Sequence, residues 1–173
     1  KFYADNHGGV LKTGPCKPDF QLDLDAMADA ITAKTKAVLI NSPNNPTGQV
    51  YPEKDLAALG VLLEKKSKDH KRMIYLISDE PYRKIVYDGV QVPSIFTSYK
   101  NSIIGTSYSK DISIPGERIG FIAVNPAATY KNELIGGMTV ANRILGFVNA
   151  PALMQRVVAC MQGMSVDIDE YKR

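Results

Sequence analysis

The stretch Ala37-Val38-Leu39-Ile40-Asn41-Ser42-Pro43-Asn44-Asn45-Pro46-Thr47-Gly48 decides the fold. Four apolar residues run without interruption and give way to a polar loop punctuated by proline and glycine. A short continuous apolar run suits a strand covered on both faces in a parallel sheet. The Pro/Asn/Gly cluster behind it continues neither strand nor helix. Upstream, Leu24, Met27, Ala28 and Ile31 follow Asp23, a good N-cap, at i, i+3, i+4 and i+7, so the spacing predicts a helix over 24–33. Downstream, Pro52 suits the first turn of a second helix, with Glu53 and Asp55 near the positive end of its dipole. Leu56, Leu59 and Leu63 form the buried stripe of that helix, and the cations of 65–72 sit at its far end.

Further strands are expected over 73–77, 102–106 and 118–124, and a helical region rich in small residues from about 127 onward, with breaks at Gly136-Gly137 and Pro151. Strands alternating with helices imply crossover connections, hence an α/β fold: three layers, α/β/α, around a mostly parallel sheet. Three of the strands run into polar motifs: NSPNNPTG (41–48), SDEPY (78–82) and SYSKDISIPGERIG (107–120). In open α/β sheets ligands bind beyond the carboxyl ends of the strands, so these three loops are where a site is expected.

Composition narrows the chemistry. The chain has 173 residues, 45% of them apolar and 23% charged, the profile of one globular domain rather than of a disordered or membrane-spanning chain. Twenty-one Lys and Arg against 18 Asp and Glu leave +3, too little and too scattered to favour nucleic acid or an anionic membrane as partner. Cys16 and Cys160 lie far apart and form no CxxC, which signals neither zinc nor a disulfide framework and fits a reduced, cytoplasmic setting. The two histidines, His7 in a polar turn and His70 within a charged run, read as surface residues, so a Ser-His-Asp relay is not expected. The start at Lys1, with no charged-then-apolar leader behind it, carries no signal-peptide pattern. Together with the end at 167–173 (DIDEYKR), it reads as a piece of something longer.

Within the loops, Lys110 stands among Ser107, Ser109 and Asp111 rather than in a charge run. It is either an ordinary loop lysine or an amine held at a fixed point for Schiff-base chemistry. Arg118, in Gly116-Glu117-Arg118-Ile119-Gly120, has the planar fork that grips phosphate; the alternative is a strand-start arginine paired with Glu117. Asp79 ends an apolar strand, where an unpartnered carboxylate is costly, so it caps a turn or faces a cationic ligand atom. Asn45 and Tyr82 are neutral donors on neighbouring loops.

The ordered set NNPTG, SDExY, SxSK and GxRxG resembles the pyridoxal-phosphate-dependent aminotransferases of fold type I, class I/II, over essentially the whole chain. The resemblance implies that Lys110 forms the Schiff base with pyridoxal 5'-phosphate and shuttles the proton of the transfer, and that Asp79 pairs with the pyridine nitrogen. By the same likeness Asn45 and Tyr82 donate to the phenolic oxygen, while Ser107, Arg118 and, more weakly, Ser109 anchor the phosphate. It also implies a cis peptide before Pro46. Residues 1–173 then match the central to C-terminal part of the large, cofactor-binding domain, ending near the junction to a small domain, in a protein that acts as a homodimer on an amino acid and a 2-oxo acid. The same shell serves decarboxylases, C–S lyases and cyclopropane-forming synthases, and aminotransferase-like domains of transcription regulators. A chain with part of the phosphate cradle and none of the ring-stacking aromatic is expected to bind the cofactor weakly and to turn nothing over on its own.

Overall fold

The computed structural model describes residues 2–164 and 169–170. Among them, four strands form one sheet in chain order: β1 (Ala37–Asn41), β2 (Tyr75–Asp79), β3 (Ser102–Ser107) and β4 (Gly120–Val124). β1, β2 and β3 are parallel, and β4 returns antiparallel along β3. The sheet is therefore mostly parallel, as expected. The fourth strand starts at Gly120 rather than 118, because Arg118 sits at a left-handed φ of 51° directly after a 3-10 turn, Pro115–Glu117. β2 ends at Asp79 rather than 77, which brings Asp79 into the sheet as the register partner of Asn41 on one side and Gly105 on the other.

The helices are α1 (Phe2–Asp5), α2 (Leu24–Ala30), α3 (Glu53–Asp69), α4 (Ile95–Ser98), α5 (Lys131–Ile144) and α6 (Ala152–Cys160). Asp23 caps α2 as the sequence predicts, its carboxylate accepting the Ala26 N–H at 3.0 Å. The helix stops at Ala30, short of 33, since the Thr35 and Thr32 hydroxyls accept the N–H groups of Thr32 and Lys34 and so compete with a further turn. Pro52 precedes α3 as its N-cap, and its carbonyl accepts from Asp55 and Leu56.

Leu56, Leu59 and Leu63 of α3 are all buried against Ile40, Ile74, Leu76, Ile95 and Tyr99, which makes the contact of α2, α3 and α4 with one sheet face the centre of the core. α3 and α4 approach so closely that a methyl group on Gly60 would overlap the Ser98 carbonyl oxygen. Strand alternation sends Asn41, Asp79 and Ser107 to the opposite face. That face carries Leu39 and Ile122, which are 63% and 59% exposed, so its cover among the described residues is partial.

α5 runs unbroken through Gly136 and Gly137, contrary to the break expected there. It ends at Gly146, whose φ of 86° and paired bonds, Phe147 N–H to Asn142 O and Gly146 N–H to Arg143 O, form a Schellman cap. Two glycines inside a helix weaken it by about 1 kcal/mol each and do not by themselves end it, whereas a left-handed residue does. His70 is half-buried and closes α3 at its C-cap, rather than lying fully in solvent. Cys16 and Cys160 are exposed and free. Among the described residues no helix is long and apolar enough to cross a membrane, and no cluster of His, Cys, Asp and Glu could hold a metal ion. Of the 167–173 segment read as a domain junction, all but Asp169 and Glu170 lies outside the described residues.

Candidate active site

The three polar loops leave the sheet at neighbouring strand ends because β1, β2 and β3 are adjacent and parallel. The first loop, 42–50, holds its shape through its own amides and hydroxyls. The Asn44 side-chain carbonyl accepts from the Thr47 hydroxyl at 2.9 Å, and the backbone pairs Asn44 with Gly48 and Gln49. The peptides Ser42-Pro43 and Asn45-Pro46 are both cis, the second as the family resemblance implies.

Asn45 projects its amide onto the second loop, where Nδ2 donates to Tyr82 Oη at 3.1 Å. Because Tyr82 accepts this bond, its own hydroxyl proton remains available to an incoming acceptor. Lys110, on the loop after β3, carries its ammonium 5.7 Å from the centroid of the Tyr82 ring, within cation–π range. Among the described residues no carboxylate lies within ion-pair distance of Lys110, while its neighbour Asp111 pairs with Lys84 at 3.2 Å. Three of the expected site residues, from three loops, thus meet directly.

Asp79 joins them through a residue the sequence reading passed over. Asn41 Oδ1 accepts the Asn45 N–H at 2.8 Å, and Asn41 Nδ2 donates to the Asp79 carbonyl at 2.8 Å. Burial on its strand side pushes the Asp79 carboxyl above the ordinary carboxylate range, although its outer edge meets solvent. No charge among the described residues offsets that burial, so the carboxylate is suited to a cationic partner.

Ser107 and Ser109 form a second group, with the Ser109 N–H donating to Ser107 Oγ at 3.4 Å. The Ser107 hydroxyl proton is therefore free to donate. Gly120 is required at this point because a side chain there would overlap the Thr106 carbonyl and crowd Ser107. Arg118 lies nearby along the chain, since Tyr108 N–H bonds Ile119 O. Its guanidinium is exposed and bonds the Pro115 carbonyl at 2.9 Å, rather than pairing with Glu117 or reaching the other candidate residues. Among the described residues its remaining N–H donors have no partner.

The turn that carries Tyr82 is fixed from beneath. Glu80 is buried and paired with Arg83 at 2.8 Å, and Arg83 also donates to the carbonyls of Val92 and Pro93. The Thr106 hydroxyl donates to Glu80 O at 3.0 Å and ties this turn to β3. The signal for this clamp was the i, i+3 acid–base spacing on either side of Tyr82. A cavity of about 260 Å³ opens beside the turn, lined by Lys84, Tyr108 and Asp111 among others, and of the candidate residues shares Ser107.

Residues 3–167 match the family model for aminotransferase class I and II, so the chain belongs to that family. Its relatives include a probable aspartate aminotransferase of Methanocaldococcus jannaschii, 35% identical over 75% of this chain and 33% of that protein. A probable aspartate/prephenate aminotransferase of Aquifex aeolicus is 38% identical over 67% of this chain and 29% of its own length. The chain thus spans about a third of the length of these curated relatives. Among solved structures it resembles an amino transferase from Eubacterium rectale with a TM-score of 0.94 and 46% identity, over 99% of this chain and 44% of that one. It also resembles a PLP-dependent aminotransferase from Streptococcus suis, with a TM-score of 0.64 and 29% identity over 83% of this chain and 34% of that one.

Proposed function

We propose that this chain provides the catalytic face of a pyridoxal-phosphate-dependent aminotransferase that moves an amino group between an amino acid and a 2-oxo acid. The observation that carries this reading is the convergence of Asn45, Tyr82 and Lys110 from three separate loops, with Asp79 held beside them through Asn41. The donor set fits the cofactor. Asp79 lacks a counter-charge and would pair with a protonated ring nitrogen, which relieves the cost of its burial. Asn45 and Tyr82 would donate to the phenolic oxygen. Ser107, Ser109 and the open N–H groups of Arg118 would take the phosphate.

Pyridoxal phosphate, when bound, supplies a ring that draws electrons from the substrate's α-carbon. The protein's own contribution is to orient and to move a proton. With the group bound, Asp79 would keep the ring nitrogen protonated, the Tyr82 hydroxyl and Asn45 amide would donate to the phenolic oxygen, and the Lys110 amine would take and return the proton at the substrate's α-carbon. Lys110 is suited to this because no carboxylate among the described residues neutralises it. On the family likeness, residues 1–173 form the central to C-terminal part of the large domain, and the working protein is a cytoplasmic homodimer.

Borohydride reduction of the complete protein with pyridoxal phosphate, followed by peptide mass mapping, tests the reading. A reduced cofactor mass on Lys110, lost in Lys110→Ala, together with conversion of bound pyridoxal to pyridoxamine by an amino acid, is the expected result. Modification elsewhere, or release of carbon dioxide or sulfide in place of amino transfer, overturns it. The isolated 173-residue chain should show at most a faint adduct and no turnover.

A further inference from the structure

Asn41 is the last residue of β1 and lies opposite Asp79 in the parallel register, so both side chains leave the same sheet face. Its amide is used at both ends. Oδ1 accepts the Asn45 N–H at 2.8 Å, while Nδ2 donates to Asp79 O at 2.8 Å and to Asp79 Oδ2 at 3.4 Å. One planar group therefore joins the loop bearing the Asn45–Tyr82 pair to the strand end bearing the acid.

We propose that Asn41 is a positioning residue that sets the direction of the Asp79 carboxylate and the placement of Asn45 together. The inference deepens the function proposed above and rests on the reading of Asp79 as the partner of the cofactor's ring nitrogen. Few side chains can take this part. Leucine has the shape without donor or acceptor, aspartate keeps the acceptor but loses the donor, and glutamine is one methylene too long for both bonds at once. The flanking register partners of Asp79 are Asn41 and Gly105, neither of them ionisable. The Asn41 amide is thus the polar group that these strands present to the carboxylate, and a donor there favours its charged form. Asn44 provides the contrast. It closes the same loop through Thr47 and the Asn41 carbonyl, but makes no bond to Asp79.

The test uses the complete protein in its apo form and with added pyridoxal phosphate, in the variants Asn41→Leu, Asn41→Asp and Asn44→Ala. The readouts are the pyridoxal phosphate dissociation constant, the thermal midpoint, and the titration of the Asp79 carboxyl followed by 13C NMR in the apoprotein. Asn41→Leu should weaken pyridoxal phosphate binding about tenfold and raise the Asp79 midpoint. Asn41→Asp, which keeps the Asn45 contact, should raise that midpoint further because it sets two carboxylates side by side. Asn44→Ala should leave the midpoint at its wild-type value while lowering the thermal midpoint. An Asp79 titration unchanged in both Asn41 variants, with binding within about twofold of wild type, overturns the inference and leaves the proposed function standing. Failure of the wild-type protein itself to bind pyridoxal phosphate overturns the proposed function.

Discussion

The Asn45 side-chain amide donates to the Tyr82 hydroxyl at 3.1 Å across 37 positions of chain, which closes the loop after β1 onto the loop after β2. Neither residue is deeply buried, so the bond stabilises the fold only modestly. A double-mutant cycle of Asn45→Ala and Tyr82→Phe should give a coupling of about 0.5–1.5 kcal/mol in denaturant unfolding. Its larger effect should fall on pyridoxal phosphate binding, which each single variant weakens.

Asp79→Asn should separate stability from binding. The folded carboxyl titrates above its unfolded value, so the native state binds the extra proton. Wild-type stability from this group is therefore greatest at low pH and falls as pH rises from the ordinary carboxylate range through the raised folded value. The asparagine variant should lack that fall. Its apo thermal midpoint should equal or exceed wild type at neutral pH, with the difference shrinking in acid, while pyridoxal phosphate affinity drops. A wild-type apoprotein that gains stability from this residue on going from acid to neutral pH would contradict the assignment.

Arg83→Met should be costly out of proportion to its surface position. It leaves the buried Glu80 carboxylate without its cation and frees the Val92 and Pro93 carbonyls. Glu80 is buried but the Arg83 side chain is 39% exposed, so water can partly replace the cation and the loss should be about 1–3 kcal/mol. Denaturant unfolding should show that loss, and the variant Glu80→Gln/Arg83→Met should recover part of it.

Gly60→Ala should destabilise although alanine favours helices. The added methyl meets the Ser98 carbonyl, which belongs to backbone and cannot swing aside. Overpacking of this kind costs about 1–3 kcal/mol, more than the roughly 1 kcal/mol that helix propensity returns. Gly136→Ala and Gly137→Ala in α5 meet open space and should stabilise instead.

Arg118→Gly offers a complementary test at a left-handed φ of 51°. Glycine adopts that conformation without the penalty of about 1–2 kcal/mol that a side chain incurs, so thermal stability should hold or rise. Affinity for inorganic phosphate and pyridoxal phosphate should fall, since the guanidinium contributes its charge and open donors rather than packing.

Local pattern carried much of this molecule. The α3 stripe of Leu56, Leu59 and Leu63, the Asp23 cap and the run 37–40 were readable because helix period, capping and continuous burial each leave a signature within a few residues. The site was legible as an ordered set of motifs, since each motif sits at a strand end. The break wrongly expected at Gly136-Gly137 shows the limit of propensity: helix interiors tolerate glycine, and the stop came where Gly146 turns left-handed.

The roles of Asn41 and of the Glu80–Arg83 clamp were hidden for a different reason. Asn41 looks like the first polar residue of a loop, and only its register opposite Asp79 turns it into a bridge. Glu80 sits unremarked inside the SDEPY motif, and only the folded chain buries it. What the order of amino acids settled alone is the alternation of elements, and with it the family and which end of the sheet is polar, since these follow from interactions between residues close in sequence. Which side chains meet across those strand ends, which way the Arg118 guanidinium points and which face of the sheet packs against α2, α3 and α4 depended on long-range pairing, because the geometry of a contact between distant segments exists only after the strands have found their register.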